Sequence, residues 1–148
     1  LLYMADRAQH ISSLIKPSLA EGKVILCDRY FDATVVYQGF ARGLDTEFIC
    51  DLHRLIFDDL LPDITLLLDL APQIGLARAW RQLDNGMRSG TESRFEEETL
   101  SFHEKVRAGY LELARRQPER IKVVDAARDE KQVQADIREA LADLLPLI

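Results

Sequence analysis

No run of this 148-residue sequence is apolar for long enough to cross a bilayer, and no secretory leader pattern is visible. A membrane partner is therefore not expected. Cysteine is scarce: Cys27 and Cys50 lie in apolar surroundings with no C-x-x-C spacing. They read as free buried thiols in a reducing, cytoplasmic setting. Positive charge is also in short supply, 19 Lys and Arg against 25 Asp and Glu, for a net charge of −6. That balance argues against a broad nucleic-acid footprint but leaves room for a local basic pocket around one phosphate. His10, His53 and His103 have no metal-ligand spacing, and no Ser/His/Asp arrangement can be argued, so no protein-held metal is expected. No internal repeat or low-complexity tract is present. An initiator Met is missing too: LLYMADR starts in mid-helix by its pattern, which reads as a piece of something longer.

What remains is ordinary for a globular chain. Apolar residues make up 47% and charged residues 30%, enough for one domain over residues 1–148 with a real core. Strand-like and helix-like stretches alternate. Residues 1–19 suit a helix with Tyr3, Arg7, His10 and Leu14 on one face, kinked or restarted by Pro17 and ended by Gly22. KVILC (23–27) reads as a buried strand, 32–38 as a short helix before GFARG, and 46–60 as a helix stopped by Pro62. ITLLLDL (64–70) is the continuous apolar run of a parallel strand covered on both faces. Pro72 suits the first turn of the next helix, whose Leu76, Trp80 and Leu83 share a stripe. After the polar loop DNGMRSGTES, a long amphipathic helix spans 94–116 on Phe95, Thr99, Phe102, Val106 and Leu113. IKVVDA (121–126) is a third strand, and Val133, Ile137, Leu141 and Leu144 place a last helix on the core. Such alternation predicts an α/β fold with a mostly parallel sheet.

Several side chains carry chemistry. Arg29 closes the 23–28 stretch at the carboxyl edge of the expected sheet, where a guanidinium binds a phosphate bidentately or pairs with a neighbouring helix. Asp28 can orient that arginine or a metal-bound water, or serve as a helix cap or salt bridge. Tyr3 and Arg7, four apart on a helix, offer an aromatic plane and donors for a base, or a surface ring packed on an arginine stem. Thr34 and Tyr37 are three apart, with Gln38 adjacent, whose amide can read a base edge. Gly39 and Gly43 allow close backbone approach or a tight turn. Arg88 and Arg94, in a loop over about 84–94, can close on a transferring phosphoryl group or simply be solvated. Glu96, Glu97 and Glu98 suit a helix first turn, and Trp80 reads as core.

Taken together, LLYMADRAQH, DRYFDATVVYQG, PDITLLLDLAP and RFEEE…FHEKVRAGYL…LA, in that order over essentially the whole chain, resemble the thymidylate kinase family. The resemblance implies a P-loop NTPase-like three-layer α/β/α fold and phosphoryl transfer from ATP to dTMP, with Mg2+ accompanying ATP. It implies that Tyr3 stacks on thymine, Arg7 bonds its edge, and Arg29 holds the dTMP phosphate. Thr34 and Gln38 then lie along the base, and Tyr37 crowds the 2′ position of the sugar. Asp28, Arg88 and Arg94 are the catalytic candidates, the last two as lid arginines. A cytoplasmic homodimer is implied as well. Tyr3 stands where phenylalanine is common, and Ser93 where an aspartate often precedes Arg-x-Glu.

One departure is larger. A phosphate-cradling G-x-x-x-x-G-K-[ST] segment is not in the sequence. Its one Gly-Lys pair, Gly22-Lys23, has Pro17 at the first glycine position and Val24 at the hydroxyl position. The expectation is that the first strand, P-loop and first helix are absent, so the sheet lacks its middle strand and this chain cannot transfer phosphate by itself. Two other readings stand beside it: a related nucleoside or nucleoside-monophosphate kinase, and a non-catalytic nucleotide-binding or assembly domain derived from one.

Overall fold

The computed structural model describes residues 2–84 and 98–144. The chain divides into two compact units, Leu1–Leu61 and Pro62–Ile148, each with its own core.

In the first unit, α1 (Leu2–His10) runs through a π-helical segment, Ile11–Ile15, into α2 (Lys16–Ala20). Met4, Ile11 and Ile15 are its buried residues, whereas Tyr3, His10 and Leu14 of the expected stripe are exposed and Arg7 is half-buried. The buried seam lies one residue round from the predicted one. Pro17 sits in the first turn of α2, where its missing N–H costs nothing. Gly22 ends the helix with φ +74°. Its N–H reaches the Leu19 carbonyl at 2.9 Å and the Lys23 N–H reaches Ser18 at 3.1 Å, the two bonds of a Schellman cap.

Residues 23–27 form no strand, and Val24 and Leu26 are 76% and 97% exposed. The predicted strand fails for a physical reason: a strand is made by a partner's backbone, and this stretch meets none among the described residues. Cys27 is correspondingly exposed and not buried, and Cys50 is half-buried; both are free thiols.

The chain then turns into α3 (Phe31–Thr34), a second π-helical segment (Val35–Ala41) and α4 (Thr46–Phe57). Asp45 caps α4, its carboxylate accepting from the Glu47 N–H at 2.8 Å and the Phe48 N–H at 3.3 Å. The helix stops at Phe57, short of Pro62, because Asp58 and Asp59 both take left-handed backbone at φ +54°. Phe31, Val35, Val36, Ile49, His53 and Phe57 form the core here. Gly39 is needed for contact, since a Cβ on it would overlap the Cγ2 methyl of Thr46.

His53 is 0% exposed. Its ring stacks on Phe31 with centroids 3.8 Å apart and planes at 22°. Nε2 lies 3.1 Å from the Leu60 carbonyl, so Nε2 carries the proton and donates, while buried Nδ1 has no hydrogen-bond partner among the described residues. Burial holds this imidazole below its ordinary pKa, opposed by the Leu60 hydrogen bond.

In the second unit β1 (Thr65–Asp69) and β2 (Ile121–Asp125) pair in parallel, from Thr65 opposite Ile121 to Asp69 opposite Asp125. Between them lie α5 (Pro72–Asp84) and α6 (Leu100–Arg116), and α7 (Glu130–Leu141) follows. α6 packs on both strands, α7 on β2, and α5 on α6. Thr99 and Asp129 cap α6 and α7 through the N–H groups of Phe102 and Gln132. Glu98 therefore precedes the cap and is not in the first turn. Phe95, Glu96 and Glu97 lie outside the described residues.

The sheet among the described residues has two strands, not three, and it is thinly covered. Leu68 and Val123, on opposite faces, are both about half exposed, so β1 is parallel as expected but not sealed on both sides. Trp80 is likewise about half exposed and not core, and no side chain of α7 is fully buried. At the carboxyl end of β1, Arg107 donates to both oxygens of Asp69, at 2.7 and 2.8 Å. The Arg107 bonds hold the Asp69 carboxyl below its ordinary pKa.

Two outcomes are expected. Gly39→Ala lowers unfolding stability in urea by about 1–3 kcal/mol, because the Thr46 methyl must shift. Acid titration lowers the melting temperature in two windows. The folded state holds the His53 proton less tightly than the unfolded chain, so stability is complete above about pH 6.5 and falls as pH drops below it. Asp69 adds a second loss below about pH 3.9, for the same sign of shift. His53→Phe removes the first window and keeps the second.

Candidate functional site

The first unit gathers most of the predicted site residues. Helix α1 carries Tyr3 and Arg7 one turn apart, and Tyr3 is 66% exposed, a ring open to solvent. Arg7 is half-buried and committed. Its Nη2 donates to Thr34 Oγ1 at 2.9 Å and to the Tyr30 carbonyl at 3.5 Å, and its guanidinium carbon lies 5.3 Å from the Tyr30 ring centroid. Nη1 faces the Met4 sulfur at 3.8 Å. Burial pulls the Arg7 pKa down, partly offset by Tyr30, Cys27 and Asp6. A guanidinium with part of its hydration already removed loses less on meeting an anion or a polar base edge.

Arg29 lies in the bend at 28–29, one residue before Tyr30. Its φ is +63°, a left-handed backbone that costs a non-glycine residue about 1–3 kcal/mol unless its surroundings hold it there. The guanidinium lies over the Tyr37 ring, 4.4 Å from the centroid, a distance at which cation–π attraction contributes. Asp28 is exposed beside it.

The helix that presents Thr34, Tyr37 and Gln38 changes hand-over from α to π between the first and the other two. A π turn hydrogen-bonds five residues on and so takes more residues per turn than an α turn. The predicted face, with Thr34 and Tyr37 three apart, therefore opens out, and residues four apart, Thr34 and Gln38, line up better. The structure agrees in its contacts. Thr34 goes to Arg7, and Tyr37 goes to Arg29. Thr34, Tyr37 and Gln38 are all half-buried. Gly39 and Gly43 fit the structural reading, Gly43 with φ +78°.

Two residues of this cluster were not singled out from sequence. Tyr30 is the platform for Arg7, and its hydroxyl donates to the Leu60 carbonyl at 3.2 Å. Burial raises the Tyr30 pKa, so the phenol stays protonated. His53 donates to the same carbonyl and meets the Tyr30 ring edge-on at 6.0 Å. Its signal in the sequence was its place on the apolar stripe of α4, four residues from both Ile49 and Phe57. Arg88 and Arg94 lie outside the described residues. No group of three or more His, Cys, Asp or Glu side chains among the described residues is placed to hold a metal ion.

Comparison with known proteins gives this cluster its context. The thymidylate kinase family profile matches residues 1–137. The thymidylate kinase of Desulfosudis oleivorans is 56% identical over 125 residues, 84% of this chain and 58% of its own length. That of Desulforapulum autotrophicum is 53% identical over 136 residues, 92% of this chain and 60% of its own. The Symbiobacterium thermophilum enzyme is 46% identical over 147 residues, 99% of this chain and 64% of its own. The chain thus spans about three fifths of the length of these relatives. With a match over nearly every residue and identities near one in two, the chain belongs to the thymidylate kinase family, an α/β, parallel-sheet family of the P-loop NTPase class.

Proposed function

We propose that this chain supplies the acceptor side of an enzyme that moves the γ-phosphoryl group of ATP to dTMP, giving dTDP and ADP. The observation that carries the reading is the pairing of two arginines with two tyrosines and a threonine in one cluster, in a chain of this family. Arg29, with its strained backbone, takes the dTMP phosphate bidentately. Tyr3 stacks on thymine, and Arg7, already oriented by Thr34 and Tyr30, bonds the base edge. Thr34 and Gln38 run along the base, while Tyr37 crowds the 2′ side of the sugar and disfavours ribose.

In the reaction an acceptor phosphate oxygen attacks the γ-phosphorus in line as the bond to ADP breaks. Charge gathers on the transferring group, and Arg88 or Arg94 from the lid neutralises it. Asp28 orients Arg29 or a water. Magnesium accompanies ATP in this reading, but the described residues include no cluster of three ligands for it, so no ion is assigned to them and no step depends on one. The sequence has no G-x-x-x-x-G-K-[ST] segment to cradle the ATP phosphates, and we assign these 148 residues dTMP binding without phosphoryl transfer of their own. Phe48 and Leu55 are exposed on α4, which supports self-association through that helix. No helix among the described residues is long and apolar enough to cross a membrane, and a cytoplasmic setting is part of the proposal.

A thermal-shift titration with dTMP, dUMP and ATP tests the reading. dTMP is expected to stabilise the chain by about 2.7 kcal/mol at a hundredfold excess over its dissociation constant. Arg29→Gln weakens dTMP binding by about 10- to 100-fold, the loss of charge-assisted hydrogen bonds. Tyr3→Ala weakens it by about 5- to 100-fold through lost stacking. A chain that melts cooperatively yet ignores dTMP, or responds to ATP instead, would overturn the acceptor-site assignment.

A further inference from the structure

We propose that His53 is a positioning residue for Arg7, acting through the Leu60 carbonyl and Tyr30. The ring does not reach the solvent, and it is linked to Arg7 through Leu60 and Tyr30. Nε2–H of His53 and the Tyr30 hydroxyl converge on one acceptor, the Leu60 carbonyl, at 3.1 and 3.2 Å. The Arg7 guanidinium lies on the other feature of Tyr30, its ring face, at 5.3 Å, and also bonds the Tyr30 carbonyl. Phe31, stacked on His53 at 3.8 Å, is the residue after Tyr30, so the imidazole fixes the backbone of this turn as well as its side chain. An imidazole is chosen over a plain ring at some cost, because Nδ1 remains buried without a partner among the described residues. A phenylalanine in the same stripe would fill the space and leave no such orphan. The second donor toward Leu60, beside the Tyr30 hydroxyl, is what the histidine provides and a phenylalanine does not.

Three charged groups bear on the ring electrostatically: Asp59 from the turn after α4, Asp32 from α3 and Arg7 from α1. None of them is its hydrogen-bond partner among the contacts the structure shows. The inference about dTMP rests on the proposed function; the link from His53 to Arg7 does not. The experiment separates the two.

Three single variants of the chain are compared with the wild type: His53→Phe, which keeps the ring and loses the donor; His53→Gln, which keeps a donor; and Tyr30→Phe. In ligand-free protein, the Nε–Hε resonance of Arg7 is expected to move in His53→Phe and Tyr30→Phe and to return toward its original position in His53→Gln. By calorimetry, dTMP binding weakens by about 3- to 10-fold in His53→Phe and is largely restored in His53→Gln. The double variant His53→Phe/Tyr30→Phe binds no more weakly than its weaker parent, because both act on one link. A purely structural histidine would lower the melting temperature while leaving the Arg7 resonance and the dTMP affinity of the folded protein unchanged, and that result overturns the proposal. Should His53→Phe fail to fold, Tyr30→Phe decides: an unmoved Arg7 resonance there overturns it equally. A wild type that ignores dTMP removes the proposed function, while the resonance still decides whether His53 places Arg7.

Discussion

The backbone carbonyl of Leu60 accepts from two side chains, Tyr30 and His53, that stand 30 and 7 residues away in the sequence. Much of the first unit hangs on that one acceptor. It ties the end of α4 to the turn before α3, and through the Tyr30 ring to Arg7 on α1. The left-handed residues Asp58 and Asp59 make it possible, since ending α4 at Phe57 brings the chain back so that Leu60 reaches its own helix's histidine. A longer α4, running to Pro62, would have carried that carbonyl away from both donors.

The two arginines of the cluster illustrate different ways of readying a cation. Arg7 is held by hydrogen bonds and by partial burial, and Arg29 by an unusual backbone and a tyrosine face. Neither device depends on the net charge of −6, which is spread over the rest of the chain. Local geometry, not overall balance, decides whether an acidic protein can hold an anion.

Particular residues show what sequence could and could not reveal. The helices of the chain and the two paired strands were legible because their periodicity and their caps are local: Gly22 at the end of α2, Pro72 at the start of α5 and the apolar run 64–70 each act within a few residues. Residues 23–27 were misjudged because an apolar, β-branched stretch is strand-like only if a neighbour supplies the ladder. Trp80 and Cys27 were expected inside for the same reason, hydrophobicity read without knowing what lies opposite. Within the cluster, Arg7, Arg29, Thr34 and Tyr37 were singled out as candidates by residue type and spacing. Their partners were not. That Arg7 meets Thr34, and Arg29 meets Tyr37, depends on contacts across 27 and 8 positions that no spacing rule encodes. His53 was passed over because a histidine on an apolar stripe carries no sign of what its proton is for.

The widened turn at Val35–Ala41 has a consequence for how this stretch can change over time. A π segment inside a helix is what an α-helix becomes when one residue is inserted without disturbing the flanks. Removing a single residue there would let the helix relax to the α form with its flanks in place, whereas the same loss in the regular helix α4 would turn everything beyond it by about 100° around the axis. Length is therefore more forgiving in this short span than in the helices on either side of it.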